Sequence, residues 1–269
     1  MTTTHRNNAS TKRIIITAAA LAGFTSILQA QLINVPNSSF ESQTAPNVYP
    51  YVNIFVDSWQ KAPEPSYYGP AIGEPFGIPW IGTAGVFLDV NPYVNHVGSQ
   101  AGYILGFPGV TLSQDYNSSP THDFNATFNV GQAYKLTVGV FGKNTLAPGS
   151  TFVLSLYALD GLNKITVGST TITYDSALFP ITPSLSLVDF SVDVPTVQGS
   201  DAWAGKYIGI ELESTTPLQL ATGGNWDFDN VRLETVPEPG TLALLGLAIG
   251  GLLLARRRAR HGSGRGDET

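Results

Sequence analysis

The sequence contains no cysteine, which excludes several classes of protein at once. A disulfide framework, a thiolate nucleophile and a cysteine-ligated zinc site all require that residue. Histidine is scarce as well: the chain has four, and His5 and His261 lie close to its two ends. The other two, His96 and His122, are far apart in the sequence. We therefore expect no histidine-rich metal centre.

Positive charge is scarce in the central part of the chain. Residues 31–236 contain six Lys and Arg against seventeen Asp and Glu, which leaves a formal charge of −11. The whole chain carries only −6, because most of its basic residues lie near the two ends. So acidic a surface repels nucleic acid and anionic lipid and attracts cations. We expect no nucleic-acid partner.

Common signatures of catalysis are missing too. The chain has no G-x-S-x-G elbow, no H-E-x-x-H motif and no G-x-x-x-x-G-K-[ST] loop. We therefore predict that the protein is not an enzyme and has no catalytic residues. A secreted glycoside hydrolase stays open as an alternative, because the sequence does not show which of its carboxylates approach one another.

Long apolar runs are limited to two, one at each end of the chain. The first, Ile14–Leu28, follows a basic stretch and precedes the small residue Ala30. This order of parts is typical of a secretory signal peptide. We assign residues 1–30 to a signal peptide with a signal helix, which the Sec translocon and signal peptidase would process, so that the mature chain begins near Gln31. An uncleaved N-terminal anchor is the alternative.

The second apolar run, Gly240–Ala255, contains sixteen residues and no charge. As a helix with a rise of about 1.5 Å per residue it would reach about 24 Å, whereas a bilayer core is roughly 30 Å thick. This short hydrophobic helix can lodge in a membrane but spans it poorly. The arginines after it would hold that side in the cytoplasm and leave the rest of the chain outside.

Three parts of the C-terminal segment carry a family resemblance: a Pro-Glu-Pro turn, the apolar run and an arginine cluster. The turn and the cluster comprise Pro237, Glu238, Pro239, Arg256, Arg257 and Arg258. Together they resemble the PEP-CTERM sorting signal of Gram-negative and related bacteria. The resemblance implies export, transient membrane retention by a sorting and transmembrane segment at 236–261, and its removal by an exosortase. The implied destination is the cell surface or an exopolysaccharide matrix. An ordinary C-terminal anchor is the alternative, and a polar tail follows at 262–269.

Between the terminal segments, residues 31–235 are enough for one all-β domain with a substantial core. Short runs with alternating apolar and polar residues recur between turn-forming residues, and no long stretch has helical periodicity. The pattern predicts an antiparallel β-sandwich. The predicted strands are Val52–Val56, Val86–Asp89, Ala101–Leu105, Val110–Gln114, Phe124–Val130, Tyr134–Gly142, Phe152–Leu159, Lys164–Tyr174, Leu187–Val194, Tyr207–Ser214 and Trp226–Glu234.

Short motifs within this domain resemble those of galactose-binding-like jelly rolls, a superfamily that includes many carbohydrate-binding modules. In chain order they are Asn37–Glu41, Trp59, Leu112–Gln114, Gly131–Val138 and Trp226–Glu234. The jelly-roll fold that this resemblance implies agrees with the strand pattern.

The same resemblance implies a structural calcium site. In such jelly rolls the first and last strands commonly lie together and hold a calcium ion with an acidic residue from each and with backbone carbonyls. Carried over by motif position, the ligands are Glu41 and Asp229, with Asp227 as a spare. Calcium takes about six to eight oxygen ligands, so carbonyls and water would complete the site. The alternative is that these carboxylates are solvated or cap a turn.

Aromatic residues crowd the segment before Gly98, beside prolines and glycines. Exposed rings offer flat apolar faces with a polar edge, on which sugar rings stack. The candidates for carbohydrate binding are Tyr49, Tyr51, Tyr67, Tyr68, Trp80 and Tyr93. Rings inside strands more often belong to the core, to which we assign Phe55, Trp59 and Phe87.

The sequence thus leads to one functional prediction. The chain is an exported, exosortase-processed surface or matrix protein whose non-catalytic sandwich associates with exopolysaccharide. A dedicated carbohydrate-binding module with a defined sugar site is a further alternative beside the hydrolase. An exposed row of rings would favour the binding module, and a deep cleft with facing carboxylates would favour the hydrolase. Apart from a structural calcium ion, we expect no cofactor.

Overall fold

The computed structural model of the protein describes residues 30–69, 77–88, 93–181 and 185–236, together with Ile249 and Leu252. One compact unit spans Leu32–Thr235, and the terminal segments form a second unit. The predicted signal helix, the sorting-signal residues and the polar tail lie outside the described residues; Ile249 and Leu252, within the predicted C-terminal helix, are helical. In the part of the chain that the structure describes, no helix combines the length and the apolar character needed to cross a membrane.

The unit Leu32–Thr235 is an antiparallel β-sandwich. Its strands are β1 Gln31–Ile33, β2 Val52–Asn53, β3 Gln60–Lys61, β4 Ala84–Leu88, β5 Gln100–Leu105, β6 Val110–Gln114, β7 Ala133–Gly142, β8 Thr151–Asp160, β9 Asn163–Thr173, β10 Val188–Val194, β11 Tyr207–Ser214 and β12 Asn225–Val236. One sheet has the order β10-β7-β12-β5-β4-β2, with β1 paired to β12, and the other has the order β3-β6-β11-β8-β9. This architecture confirms the predicted fold class.

Most predicted strands agree closely with the structure. The predictions at Val110–Gln114 and Tyr207–Ser214 coincide with β6 and β11 residue for residue. The prediction at Val52–Val56 is too long, since β2 ends at Asn53. Two short strands, β1 and β3, were not predicted, because strands of two or three residues are too short to show a period.

The predicted strand at Phe124–Val130 is wrong. Within this segment only Thr127 forms a bridge, which pairs it with Tyr207 of β11. The segment runs beside the start of β11, where Ile208 N–H donates to the Ala126 carbonyl at 2.8 Å. β6 occupies the rest of that edge of β11, so this alternating segment has room for a single bridge only.

The core lies between the two sheets and is filled by aromatic rings. Trp226 and Phe228 of β12 are fully buried. Phe152 of β8, from the opposite sheet, stacks on both, with ring centroids 5.5 Å and 5.9 Å apart. Gly102 in β5 makes this packing possible, since a Cβ there would lie 2.3 Å from the Phe228 ring. Packed rings of this size dominate the burial that stabilises the sandwich.

The opening segment of the β-sandwich lies against the closing strand. The backbone N–H of Val231 in β12 donates to the Ser38 carbonyl at 2.9 Å. The Phe40 ring lies 5.2 Å from the Phe228 ring, and β1 pairs with β12. The two ends of the domain therefore meet, as the jelly-roll resemblance implied.

Candidate functional site

β12 places two aspartates on the face of its sheet that points away from the core. Trp226 and Phe228 point into the interior, so the alternation of a strand directs Asp227 and Asp229 to the opposite face. Both aspartates are nevertheless fully buried. The segment 93–100 covers them and makes hydrogen bonds to both. We call this arrangement the covered acidic pair.

Asp227 is surrounded by donors. Lys143 Nζ lies 3.1 Å from its Oδ2, the Tyr93 hydroxyl donates to the same oxygen, and the Asn225 side-chain amide donates to Oδ1. Burial raises the pKa of Asp227, while the positive charge of Lys143 and the hydrogen bonds oppose this rise. Because Lys143 already supplies a positive charge beside Asp227 and would repel a second cation, Asp227 is unsuited to the spare calcium role that the resemblance gave it.

Asp229 has a different environment. Its Oδ2 accepts a hydrogen bond from the Val97 N–H at 2.7 Å, whereas its Oδ1 is buried and has no hydrogen-bond partner among the described residues. Burial raises the pKa of Asp229 to about 7, with a further contribution from the negative charge of Glu41. A buried acceptor without a partner costs free energy. A proton or a cation at Oδ1 would therefore stabilise the folded domain.

Glu41 binds the same covering segment. Its Oε1 accepts hydrogen bonds from the N–H groups of Ser99 at 2.9 Å and Gln100 at 2.6 Å, and its Oε2 accepts one from the Ser99 hydroxyl at 3.1 Å. Gly98 has a φ of 89°, and a Cβ there would lie 2.5 Å from the Glu41 carboxyl carbon. Both the backbone conformation and the close approach require glycine at this position.

The structure thus brings Glu41 and Asp229 to one turn, at residues 97–100. The described residues include no group of three or more His, Asp or Glu side chains that would hold a metal by themselves. A calcium ion at this turn would therefore need backbone carbonyls and water in addition to the two carboxylates. The partnerless Oδ1 of Asp229 fits such an ion.

The six aromatic candidates divide by burial. Tyr68, Trp80 and Tyr93 are only 1%, 8% and 4% exposed. Their rings pack in the core: the Tyr68 and Trp80 ring centroids are 4.9 Å apart, and those of Tyr93 and Phe141 are 5.2 Å apart. Predicting these three as sugar-stacking residues is therefore wrong, because their faces are covered by other protein atoms. Tyr67 is half-buried and packs against the same core.

The other two candidates are exposed. Tyr49 is 87% exposed and Tyr51 is 37% exposed. Their rings stand at 87° to each other with centroids 6.4 Å apart. Backbone hydrogen bonds hold the loop in place: the Tyr51 N–H donates to Val48 at 2.8 Å, and the Leu88 N–H donates to Tyr51 at 2.9 Å. We call residues 48–55 the tyrosine loop.

The tyrosine loop exposes further apolar side chains. Val48 is 65% exposed and Phe55 is 62% exposed. The assignment of Phe55 to the core is therefore wrong, whereas Trp59 is buried and Phe87 is partly buried, as assigned. β2 begins inside this loop and ends at Asn53, so no continuing strand directs Phe55 inward.

Two residues that support this region were not predicted: Lys143, which pairs with Asp227, and Gln100, which holds the segment that carries Glu41. Lys143 follows β7 directly and lies far from Asp227 in the sequence, so no local pattern connects them. Gln100 donates through its side chain to the carbonyls of Phe40 at 3.0 Å and Gln43 at 2.8 Å. Gly98 gave the only local signal, since glycine often marks a turn.

Comparison with known families identifies two regions of the chain. Residues 31–234 match the family described as HpiC1 cyclase, or HpiC1-like. Residues 235–258 match the PEP-CTERM protein-sorting motif, which confirms the predicted sorting signal and implies an exosortase as processing partner. No curated protein sequence matches the chain.

Several solved structures have a similar fold. A cyclase from Fischerella sp. TAU is 20% identical with a TM-score of 0.52, over 78% of this chain and 98% of that chain. The Stig cyclase Fisc from the same organism, solved with (3Z)-3-(1-methyl-2-pyrrolidinylidene)-3H-indole, is 20% identical with a TM-score of 0.50, over 78% and 99%. At this identity the likeness shows a shared fold.

A more distant likeness connects the chain to the tandem CBM22 domains of Paenibacillus barcinonensis Xyn10C, at 12% identity and a TM-score of 0.42, over 79% of this chain and 48% of that chain. The family match, in contrast, covers nearly all of the β-sandwich and most of the chain. The protein therefore belongs to the HpiC1 cyclase-like family and carries a PEP-CTERM sorting motif on the C-terminal side of its β-sandwich in the sequence.

Proposed function

We propose that the mature protein acts outside the cell as a non-catalytic surface or matrix component that associates with exopolysaccharide. The Sec translocon and signal peptidase would export it, and an exosortase would remove the sorting segment after transient membrane retention. The observation that carries the proposal is the exposed ring pair of Tyr49 and Tyr51. Exposed apolar groups clustered on a soluble domain mark interaction sites.

The geometry of the tyrosine loop supports contact with a sugar. Tyr49 and Tyr51 present one ring at a right angle to the other, so a sugar could meet a face and an edge. The backbone hydrogen bonds of Tyr51 hold the loop before a ligand arrives, which lowers the entropic cost of binding. The formal charge of −11 on residues 31–236 favours a neutral glycan over an acidic one.

The environment of the covered acidic pair supports a structural role. A general acid must come within hydrogen-bond reach of the group to which it gives a proton. Asp227 and Asp229 are 0% exposed, and each already binds the segment that covers it. A substrate would have to displace that segment before reaching either carboxylate.

Binding of polysaccharides by the purified mature protein tests the proposal. We expect the wild type to be retarded in gels that contain a bound polysaccharide, and the Tyr49→Ala/Tyr51→Ala variant to lose about thirtyfold in affinity, since each of the two stacked rings contributes about 1 kcal/mol. Leu162→Ala is the matched control, because Leu162 is 92% exposed on another turn. Failure of the wild type to bind any glycan, or equal binding by the tyrosine variant, would contradict the proposal.

Cyclase chemistry is the second candidate, and family membership is the observation that favours it. The indole compound solved with Fisc is a suitable probe for a related pocket. Under our proposal this compound leaves the melting temperature of the mature protein unchanged. A stabilising shift that saturates with its concentration would favour the cyclase candidate instead.

We also propose that calcium binds at Glu41 and Asp229. The ion would neutralise the repulsion between the two carboxylates and occupy the position beside the partnerless Oδ1 of Asp229. At a calcium concentration about a hundred times the Kd, the gain would be about 2.7 kcal/mol, or about 5 to 10 °C in melting temperature. Thermal denaturation with calcium or with EDTA measures it.

The calcium effect should disappear in two variants. Glu41→Gln and Asp229→Asn each remove one charged ligand, so neither should respond to calcium. Asp57→Asn is the control, because the Asp57 side chain is exposed, so this variant should leave the response intact. A calcium response that survives in Glu41→Gln, or no response in the wild type, would refute the site.

A further inference from the structure

A polar groove crosses the outer face of the larger sheet, where β10, β7 and β12 lie side by side. It encloses about 380 Å³, a volume within the range of small-ligand sites. Two side chains from each strand line it: Lys135 and Thr137 from β7, Asp189 and Ser191 from β10, and Arg232 and Glu234 from β12. We call it the β7–β12 groove.

The strand register brings two hydroxyl groups together in this groove. Ser191 and Thr137 are directly opposite each other in the β10/β7 pair. Their hydroxyl oxygens are 3.1 Å apart. Each hydroxyl can donate one hydrogen bond and accept others, so the pair keeps hydrogen-bonding capacity for a ligand.

Arg232 is held in place and still has an unused donor. Its Nη2 lies 2.7 Å from Asp189 Oδ2, and Asp189 Oδ1 accepts a hydrogen bond from the Asn95 amide at 3.0 Å. The guanidinium group is therefore oriented from one side. Its Nε and Nη2 are buried, whereas the side chain as a whole is 38% exposed. The remaining nitrogen, Nη1, is therefore the donor that a ligand oxygen in the groove can meet.

Charge in the groove is balanced. The nearest carboxylate to Lys135 Nζ is that of Asp193, at 3.9 Å, which is too far for a hydrogen bond. Lys135 and Arg232 match Asp189 and Glu234 in number, so the lining has no formal net charge. The domain around it is strongly acidic. An anionic ligand would meet repulsion from the domain as a whole.

We propose that the β7–β12 groove binds one uncharged, hydroxyl-rich sugar unit of a polysaccharide. A sugar hydroxyl both donates and accepts, which matches a lining that alternates cations, carboxylates and hydroxyls. Arg232 Nη1 and Lys135 donate to sugar oxygens, and Glu234 accepts from a sugar hydroxyl. Leu32, exposed on the rim, offers an apolar contact for ring C–H groups. This inference rests on the proposed glycan association and assigns it a second contact site.

Affinity electrophoresis of the mature protein tests the groove. The probes are dextran, mannan and galactan as neutral polysaccharides and alginate as a polyanion. We expect retardation by at least one neutral polysaccharide, with about tenfold weaker binding in Arg232→Met and in Thr137→Val/Ser191→Ala, because each variant removes hydrogen bonds to the sugar. Lys206→Met is the control, since Lys206 pairs with Asp160 on the other sheet.

Each outcome decides the proposal. Thermal denaturation shows whether Arg232→Met is folded. If it is not, the Thr137→Val/Ser191→Ala variant provides the test, because its side chains are close in size to those they replace. Unchanged neutral-glycan binding in the folded groove variants would overturn the groove while the glycan proposal stands. Binding to alginate alone would overturn the uncharged ligand. A wild type that binds none of the probes overturns the groove together with the glycan proposal.

Discussion

Replacing Lys143 with methionine is expected to lower the free energy of unfolding by about 3 to 5 kcal/mol. Lys143 Nζ lies 3.1 Å from the fully buried carboxylate of Asp227. Without the ammonium group, this carboxylate must stay as an unpaired charge in the interior or take up a proton. Its pKa, which burial already raises, would rise further. Urea denaturation at neutral pH measures the loss.

Two further variants distinguish the effect of breaking the ion pair from the effect of losing the lysine side chain. Adding Asp227→Asn to Lys143→Met should restore most of the lost stability, because a neutral amide needs no counter-ion. Lys164→Met is the matched control: Lys164 pairs with Glu211 on the surface, and exposed pairs contribute about 1 kcal/mol or less. Equal losses in Lys143→Met and Lys164→Met would contradict our account of Asp227.

Replacing Asp229 with asparagine is expected to raise the stability of the metal-free protein at pH 8 by about 2 to 4 kcal/mol. The pKa of Asp229 is about 7 in the folded state, against an ordinary value of 3.8. Between these values the folded state binds more protons than the unfolded state, so wild-type stability falls as pH rises from about 4 to about 7. Asparagine resembles the protonated form and lacks this loss.

The pH profile is the decisive measurement for Asp229. In EDTA, the gain from Asp229→Asn should shrink to about 1 kcal/mol near pH 4.5, where the folded wild type keeps its proton. Asp57→Asn serves as the control, since Asp57 is exposed. Parallel stability profiles for wild type and Asp229→Asn across pH 4.5 to 8 would show that burial of this carboxylate costs nothing.

Together these variants would define what the covered acidic pair does in an exported HpiC1-like domain. If Asp227 and Asp229 act by fixing the 93–100 segment, their replacement changes stability and its pH dependence, and glycan binding at the tyrosine loop stays intact. A fold shared with cyclases does not by itself bring catalysis, because activity depends on side chains that reach a substrate. The structural role of the acidic pair and glycan binding at the tyrosine loop are therefore separable by experiment.

Local sequence was sufficient to predict strands whose residue pattern alone decides their structure. β6 and β11 were predicted residue for residue because apolar and polar residues alternate along both segments. The segment Phe124–Val130 alternates in the same way, yet β6 already pairs with the rest of the neighbouring edge of β11. Whether an alternating segment becomes a strand depends on a free partner edge, and that partner is set by the whole fold.

The sequence alone determined the class of the fold and the sorting signal, because each depends on a local pattern of residues. The resemblance to jelly rolls further implied that the opening motif at Glu41 meets the closing motif at Asp229. Only the tertiary structure decided which tyrosines are exposed: Tyr49 and Tyr68 lie in similar loops, but neighbours distant in the chain bury one of them. It also decided that Lys143 faces Asp227. Burial and charge pairing depend on contacts between distant segments, and no short stretch of sequence records them.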